Sequence, residues 1–191
     1  MTTSKRAYGY GLSLCMSVVL ALAPTYVAAA TGASSQTDQE SLAAFVGEFE
    51  FIGGEVQRRG VLDAIEVTVA SIAAGVQDIA RKRLRPPNEI PEHVRIAIDG
   101  KFSTVALDER TIRTQMNGTK PAVWTNAKGR RVRVWHRLSG NRLVEKMVGV
   151  GGSRKNVYRL SADGSKLYLD VTMASPLLPR SVKYRLTYRR R

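Results

Sequence analysis

The stretch Val132-Arg133-Val134-Trp135-His136-Arg137-Leu138, followed by Ser139-Gly140-Asn141 and then Arg142-Leu143-Val144, decides the fold class. A strand with one buried face shows that face at every second position. Val132, Val134, His136 and Leu138 meet that template, with Arg133, Trp135 and Arg137 on the opposite face. The Ser-Gly-Asn step behind them supplies the positive φ that a tight hairpin needs. The same alternation recurs outward from this stretch, at Leu167, Leu169, Val171 and Met173 and at Val182, Tyr184, Leu186 and Tyr188. Turn dipeptides separate the segments: Asp99-Gly100, Asn117-Gly118, Lys128-Gly129, Gly151-Gly152 and Asp163-Gly164. The chain from about Val94 onward therefore reads as an antiparallel meander paired in sequence order. An opening strand near Phe45 to Ile52 brings the total to about ten strands.

Between that opening strand and the meander the period changes from 2 to 3.6. Val61, Ile65, Val69, Ile72, Val76 and Ile79 step by three and four, with Asp63, Glu66, Asp78, Arg81 and Lys82 at other positions. This spacing predicts an amphipathic helical insert over about residues 57–85, continuous or broken at Ala74-Gly75, ended by Pro86-Pro87.

The chain has 191 residues. Lys5 and Arg6, the apolar run Leu12 to Ala23 and the small residues Ala28-Ala29-Ala30 have the layout of a secretory signal peptide. We expect residues 1–30 to be removed on export to a periplasmic or extracellular space, 31–40 to be a flexible lead-in, and 41–191 to form one domain. Cys15 is the only cysteine and lies in the removed segment, so disulfide and thiol chemistry are not expected. The formal charge of +14, reduced by two with Lys5 and Arg6, favours anionic partners such as anionic lipid or another polyanion.

Several short motifs resemble the fatty-acid-binding proteins of the calycin group. Phe45-Val46-Gly47-Glu48-Phe49 is similar to their opening strand, and Ala74-Gly75-Val76 to Arg85-Pro86-Pro87 to their second lid helix and its exit. Val94 to Gly100, Gly129 to Val132, Gly140 to Val144, Val157 to Leu160 with Asp163-Gly164, and Tyr184 to Tyr188 follow in the family's order. The resemblance implies a mainly β fold: an up-and-down antiparallel β-barrel of about ten strands, a helical lid after the first strand, and a lumen for a small lipophilic ligand. Family members that bind fatty acids hold the carboxylate with two arginines and a tyrosine. Here Tyr158 and Leu186 stand where those arginines would be, Arg159 and Arg185 lie one residue away and face outward unless a bulge restores them, and only Tyr188 carries over.

Alternation and the insert's stripe give the expected ligand-binding residues: Tyr158, Leu160, Tyr184, Leu186 and Tyr188 from the strands, Val76 and Ile79 from the lid. Since a ten-strand barrel is wider than its side chains fill, we expect a cavity. Arg131, Arg133, Trp135 and Arg137 read as a solvated outer face. His93 and His136 stand without a carboxylate motif beside them. No nucleophile elbow, P-loop, dinucleotide fingerprint or zinc spacing occurs, so neither catalysis nor a cofactor, a metal or a specific nucleic-acid partner is expected. The expected function is that of an exported, monomeric binding protein for a small lipophile. The alternative is a basic envelope-associated protein that meets anionic lipid or polyanion through its surface.

Overall fold

The computed structural model describes residues 41–126 and 128–191; the expected signal peptide and lead-in lie outside them. Ten strands form one antiparallel sheet: β1 (Gly47–Phe51), β2 (His93–Asp99), β3 (Phe102–Leu107), β4 (Arg110–Gln115), β5 (Ala122–Thr125), β6 (Arg131–Leu138), β7 (Arg142–Gly149), β8 (Gly152–Leu160), β9 (Lys166–Ala174) and β10 (Val182–Arg190). Their order is β4-β3-β2-β1-β10-β9-β8-β7-β6-β5, so the sheet curls until β4 and β5 face each other across a seam. The expected barrel with its helical insert is therefore the observed architecture.

One expectation fails at that seam. Asn117-Gly118 does not make a hairpin, because β4 and β5 are not hydrogen-bonded neighbours. Asn117 takes a left-handed φ of 55°, its N–H donates to the His136 carbonyl at 2.9 Å, and its Oδ1 accepts from the Leu138 N–H at 2.9 Å. The chain thus ties β4 to β6 over the end of the short β5, and one asparagine stands in for a strand partner.

The register stacks the lumen-facing side chains of β6 to β10 in rows. One row runs Val134, Met147, Arg154, Met173, Val182; the next His136, Glu145, Asn156, Val171, Tyr184; the next Leu138, Leu143, Tyr158, Leu169, Leu186. The last of these joins a packed core with Phe45, Phe49, Val94, Ile96, Leu167 and Tyr188. Leu143, Tyr158, Leu167, Leu169, Leu186 and Tyr188 are all 0% exposed, so no water-sized void lies against them. The expected open lumen is corrected at this level: side chains of the protein fill it. Each large apolar side chain so buried contributes about 1.5–3 kcal/mol.

The insert is two helices, α1 (Gly54–Val69) and α2 (Gln77–Leu84), separated by an extended Ala73 and a 3-10 turn at Ala74–Val76. Val61, Ile65, Thr68 and Val69 of α1 are buried against the barrel, as the helical period predicts. Gln57 completes the edge of β10 where β1 has ended: its Oε1 accepts from the Thr187 N–H at 2.8 Å, and its Nε2 donates to Thr187 Oγ1 at 2.8 Å. Arg81 joins the two helices through Glu66 at 2.9 Å. At the C-terminal end of β10, Arg190 donates to the carbonyls of Val46, Ala44 and Gly164. Gly47 lies beneath that guanidinium, where a Cβ would come within 2.5 Å of it.

Candidate functional site: a polar row inside the barrel

Alternation on β7 places Leu143, Glu145 and Met147 on the lumen side, which carries a carboxylate into the core: Glu145 is 0% exposed. Register then sets His136 of β6 on one side of it and Asn156 of β8 on the other. Glu145 Oε2 accepts from Asn156 Nδ2 at 2.6 Å and from the Tyr158 hydroxyl at 3.0 Å. Arg110, entering from β4 across the seam, holds Nη2 at 3.7 Å from Oε2, and its guanidinium lies 5.8 Å from the centre of the Trp124 ring. On the other oxygen, His136 Nε2 is 3.6 Å from Oε1, while His136 Nδ1 is bonded to Ser103 Oγ at 2.7 Å.

Burial pushes the Glu145 carboxyl up, but His136, the charge of Arg110 and the Asn156 amide outweigh it and hold the group below the ordinary carboxylate value. Glu145 is therefore an anion inside the barrel at neutral pH. Burial and the neighbouring Glu145 charge push the Tyr158 hydroxyl well above its ordinary value, so it remains a donor.

The network climbs from this row to the insert. Asn156 Oδ1 accepts from Arg154 Nε at 2.9 Å, Arg154 Nη2 donates to the Tyr184 hydroxyl at 3.3 Å, and Arg154 Nη1 donates to the Pro87 carbonyl. The Tyr184 hydroxyl donates to Asn88 Oδ1 at 3.0 Å, and Asn88 Nδ2 to the Leu84 carbonyl at 2.8 Å. Polar side chains thus run in one chain from Glu145 to the end of α2, inside a wall that is otherwise apolar.

The expected ligand-binding residues divide into two groups. Tyr158, Leu186 and Tyr188 are buried on the lumen face, and Leu160 and Tyr184 are half-buried there and pack on the same core. Val76 and Ile79 are not in the lumen: they are 46% and 52% exposed. The break at Ser71 to Ala73 resets the helical phase, so the stripe that buries Val61, Ile65 and Val69 does not continue, and α2 buries Leu84 instead. The Tyr188 hydroxyl is committed to the Pro91 carbonyl at 3.1 Å.

The one-residue offset of the arginines holds in three dimensions. Arg159 and Arg185 both face outward and share Asp170, with Arg185 Nε 2.6 Å from its carboxylate. Arg131, Arg133, Trp135 and Arg137 form the outer face of β6, where the Arg133 guanidinium lies 5.7 Å from the centre of the Trp135 ring. His93 starts β2 at the surface. His136 is buried as a core histidine would be, but it faces a carboxylate that its own segment of sequence does not announce. Glu145, Asn156, Arg154, Arg110 and Ser103 were not among the expected site residues.

A concavity of about 440 Å³ lies outside the barrel wall between β1 and β4, lined by Glu48, His93, Arg95, Glu109 and Arg191. It carries both signs of charge. Among the described residues no group of three or more His, Cys, Asp or Glu is placed to hold a metal ion.

No protein-family model matches the chain, and no curated protein matches it. Solved structures do. A fatty acid binding protein of Schistosoma mansoni, in complex with arachidonic acid, superposes with a TM-score of 0.50 at 14% identity, covering 79% of this chain and 98% of that one. A secretary abundant heat soluble protein from Ramazzottius varieornatus gives 0.51 at 8% identity over 78% and 96%. A mutant of the fluorescent protein UnaG gives 0.50 at 15% over 78% and 98%. At these identities the likeness is one of fold: a ten-strand antiparallel barrel with a helical insert after the first strand.

Proposed function

We propose that this protein is an exported, non-catalytic carrier that takes a small lipophilic molecule into the barrel, with the α1–α2 insert as the lid that must lift. The observation that carries the reading is the polar chain from Glu145 to Asn88. Burying an ionised carboxylate in a core is unfavourable unless it is paired, and a row of leucines there would stabilise the barrel at least as well. A polar row in an apolar lumen is what a ligand with an apolar body and a polar end requires. The lumen is filled at the level of Leu143, Tyr158, Leu169 and Leu186, so uptake needs a movable element. The insert is attached by Val61, Ile65, Thr68, Val69 and Leu84, by the Gln57 contacts, and at its end by the Arg154–Pro87 and Tyr184–Asn88 bonds, and elements held by limited sets of buried contacts open at lower free-energy cost than the barrel core.

Export is part of the same proposal and is read by the intact mass of the protein recovered from its host: a chain beginning at Thr31 supports it. Binding is tested by native mass spectrometry of that material followed by organic extraction. A one-to-one lipophile supports the carrier reading; empty protein that also ignores a fluorescent lipophilic probe opposes it.

A second reading is favoured by the distribution of charge. Between Thr111 and Arg191 the sequence has nineteen Lys and Arg against three Asp and Glu, and one of the three, Glu145, is inside the barrel. Register aligns Lys146, Lys155 and Lys183 in one row on the outer wall. A surface of this kind attracts polyanions, and retention on anionic vesicles that falls steeply with salt while ignoring lumen substitutions would support it.

A further inference from the structure

The barrel interior leaves one set of polar atoms without partners, and that set gives the carrier reading a ligand class. His136 Nε2, Glu145 Oε1 and Arg110 Nη2 are buried without a hydrogen bond, as is Thr114 Oγ1 on the lumen side of β4. His136 Nε2 and Arg110 Nη2 flank the Glu145 carboxylate, at 3.6 Å from Oε1 and 3.7 Å from Oε2, too far for direct hydrogen bonds. The rest of the cluster is fixed: His136 by Ser103, and Glu145 Oε2 by Asn156 and Tyr158. An unpartnered buried polar atom costs about 1–3 kcal/mol, and native proteins meet such atoms with ordered water or a ligand.

We propose that this polar cluster, closed around Glu145 in the resting structure, opens on uptake to receive an uncharged hydroxyl head, so that the lipophile is a long-chain or polycyclic alcohol rather than a fatty acid; this rests on the carrier reading above. A hydroxyl has both a proton to give and lone pairs to receive. Its O–H donates to Glu145 Oε1, the free acceptor, and its oxygen accepts from Arg110 Nη2–H. A ligand carboxylate brings acceptors only and would stand against the Glu145 carboxylate. The Arg110 charge is already matched by Glu145, so the cluster offers no surplus positive charge. Arg154, one row higher, has its guanidinium turned to Asn156, Tyr184 and Pro87.

The test is competition of hexadecan-1-ol and hexadecanoate against a lipophilic fluorescent probe on the full protein. The alcohol is expected to bind at least about tenfold tighter, the worth of one hydrogen bond to a charged group. Glu145→Gln, nearly isosteric, removes the charge and should shrink that preference to roughly threefold or less. If the variant loses its near-UV circular dichroism, Arg110→Gln, at a site 22% exposed at the side chain, replaces it and should weaken the alcohol selectively. Equal or tighter binding of hexadecanoate, or a preference untouched by whichever variant folds, overturns the hydroxyl site and leaves the carrier reading standing. Failure of both compounds to bind the unmodified protein overturns both. A ligand-bound crystal structure with the alcohol head away from Glu145 Oε1 also overturns the proposal.

Discussion

Two adjacent rows of the same barrel wall behave differently. The row Leu138, Leu143, Tyr158, Leu169, Leu186 is packed and nearly all apolar, and its single hydroxyl reaches sideways to Glu145. The row beside it carries His136, Glu145, Asn156 and Tyr184 and leaves buried polar atoms free. Both rows come from the same strands, the same alternation and the same register. The difference teaches that the barrel is held by one layer and differentiated by the next, so stability and selectivity respond to different substitutions.

The comparison breaks most visibly at Leu169. Leu169→Ala empties a fully buried site and should cost about 2–5 kcal/mol in urea unfolding; a loss below about 1 kcal/mol would mean the layer is not close-packed. Glu145→Gln keeps the shape and one acceptor, so it should cost less, about 1–3 kcal/mol. A penalty for Glu145→Gln above that of Leu169→Ala would make the polar row the structural one and undo the contrast.

The pH dependence sharpens the same point. The Glu145 carboxyl is held below its ordinary value near 4.5, so its stabilising contribution is complete above that value and is lost as pH falls through the lower, folded one. Unfolding free energies measured from about pH 7 to about pH 3 should converge for the parent and Glu145→Gln proteins at the acid end. Parallel curves would show that Glu145 has no charge-dependent role. The smallest effect is expected outside the barrel, where Arg185→Ala removes one of the two partners of Asp170 at a half-exposed site. Exposed pairs of this kind contribute about 0.2–1 kcal/mol, and binding should not change.

The layer that holds the barrel was legible in the sequence and the one that differentiates it was not, for a physical reason. Period-2 alternation and Gly-containing turns are local, so the ten strands, the inward faces at Leu167 to Met173 and Val182 to Tyr188, and the outward turn of Arg159 and Arg185 could all be read from neighbours in the chain. The polar row is non-local. Glu145 between Leu143 and Met147, and Asn156 two residues before Tyr158, are visible as polar residues on apolar faces. Which strands bring them beside His136 and Arg110 is decided by register and by closure at the seam. That seam was hidden because Asn117-Gly118 has the composition of a hairpin, while Asn117 spends its side chain on Leu138 of β6. The lid was half legible: the stripe Val61, Ile65, Val69 holds, and its continuation to Val76 and Ile79 is lost with the break that resets the phase.

The account turns on whether the filled lumen opens by movement of the insert. Gln57→Cys with Thr187→Cys, in a Cys15→Ser background that leaves no other thiol, puts two thiols where α1 now contacts β10. Uptake of hexadecan-1-ol is then followed by native mass spectrometry before and after bridging them with a short bis-maleimide. The account predicts a one-to-one adduct in the unbridged protein and none once the insert is locked. Undiminished uptake by the bridged protein, or no uptake by either form, would contradict it.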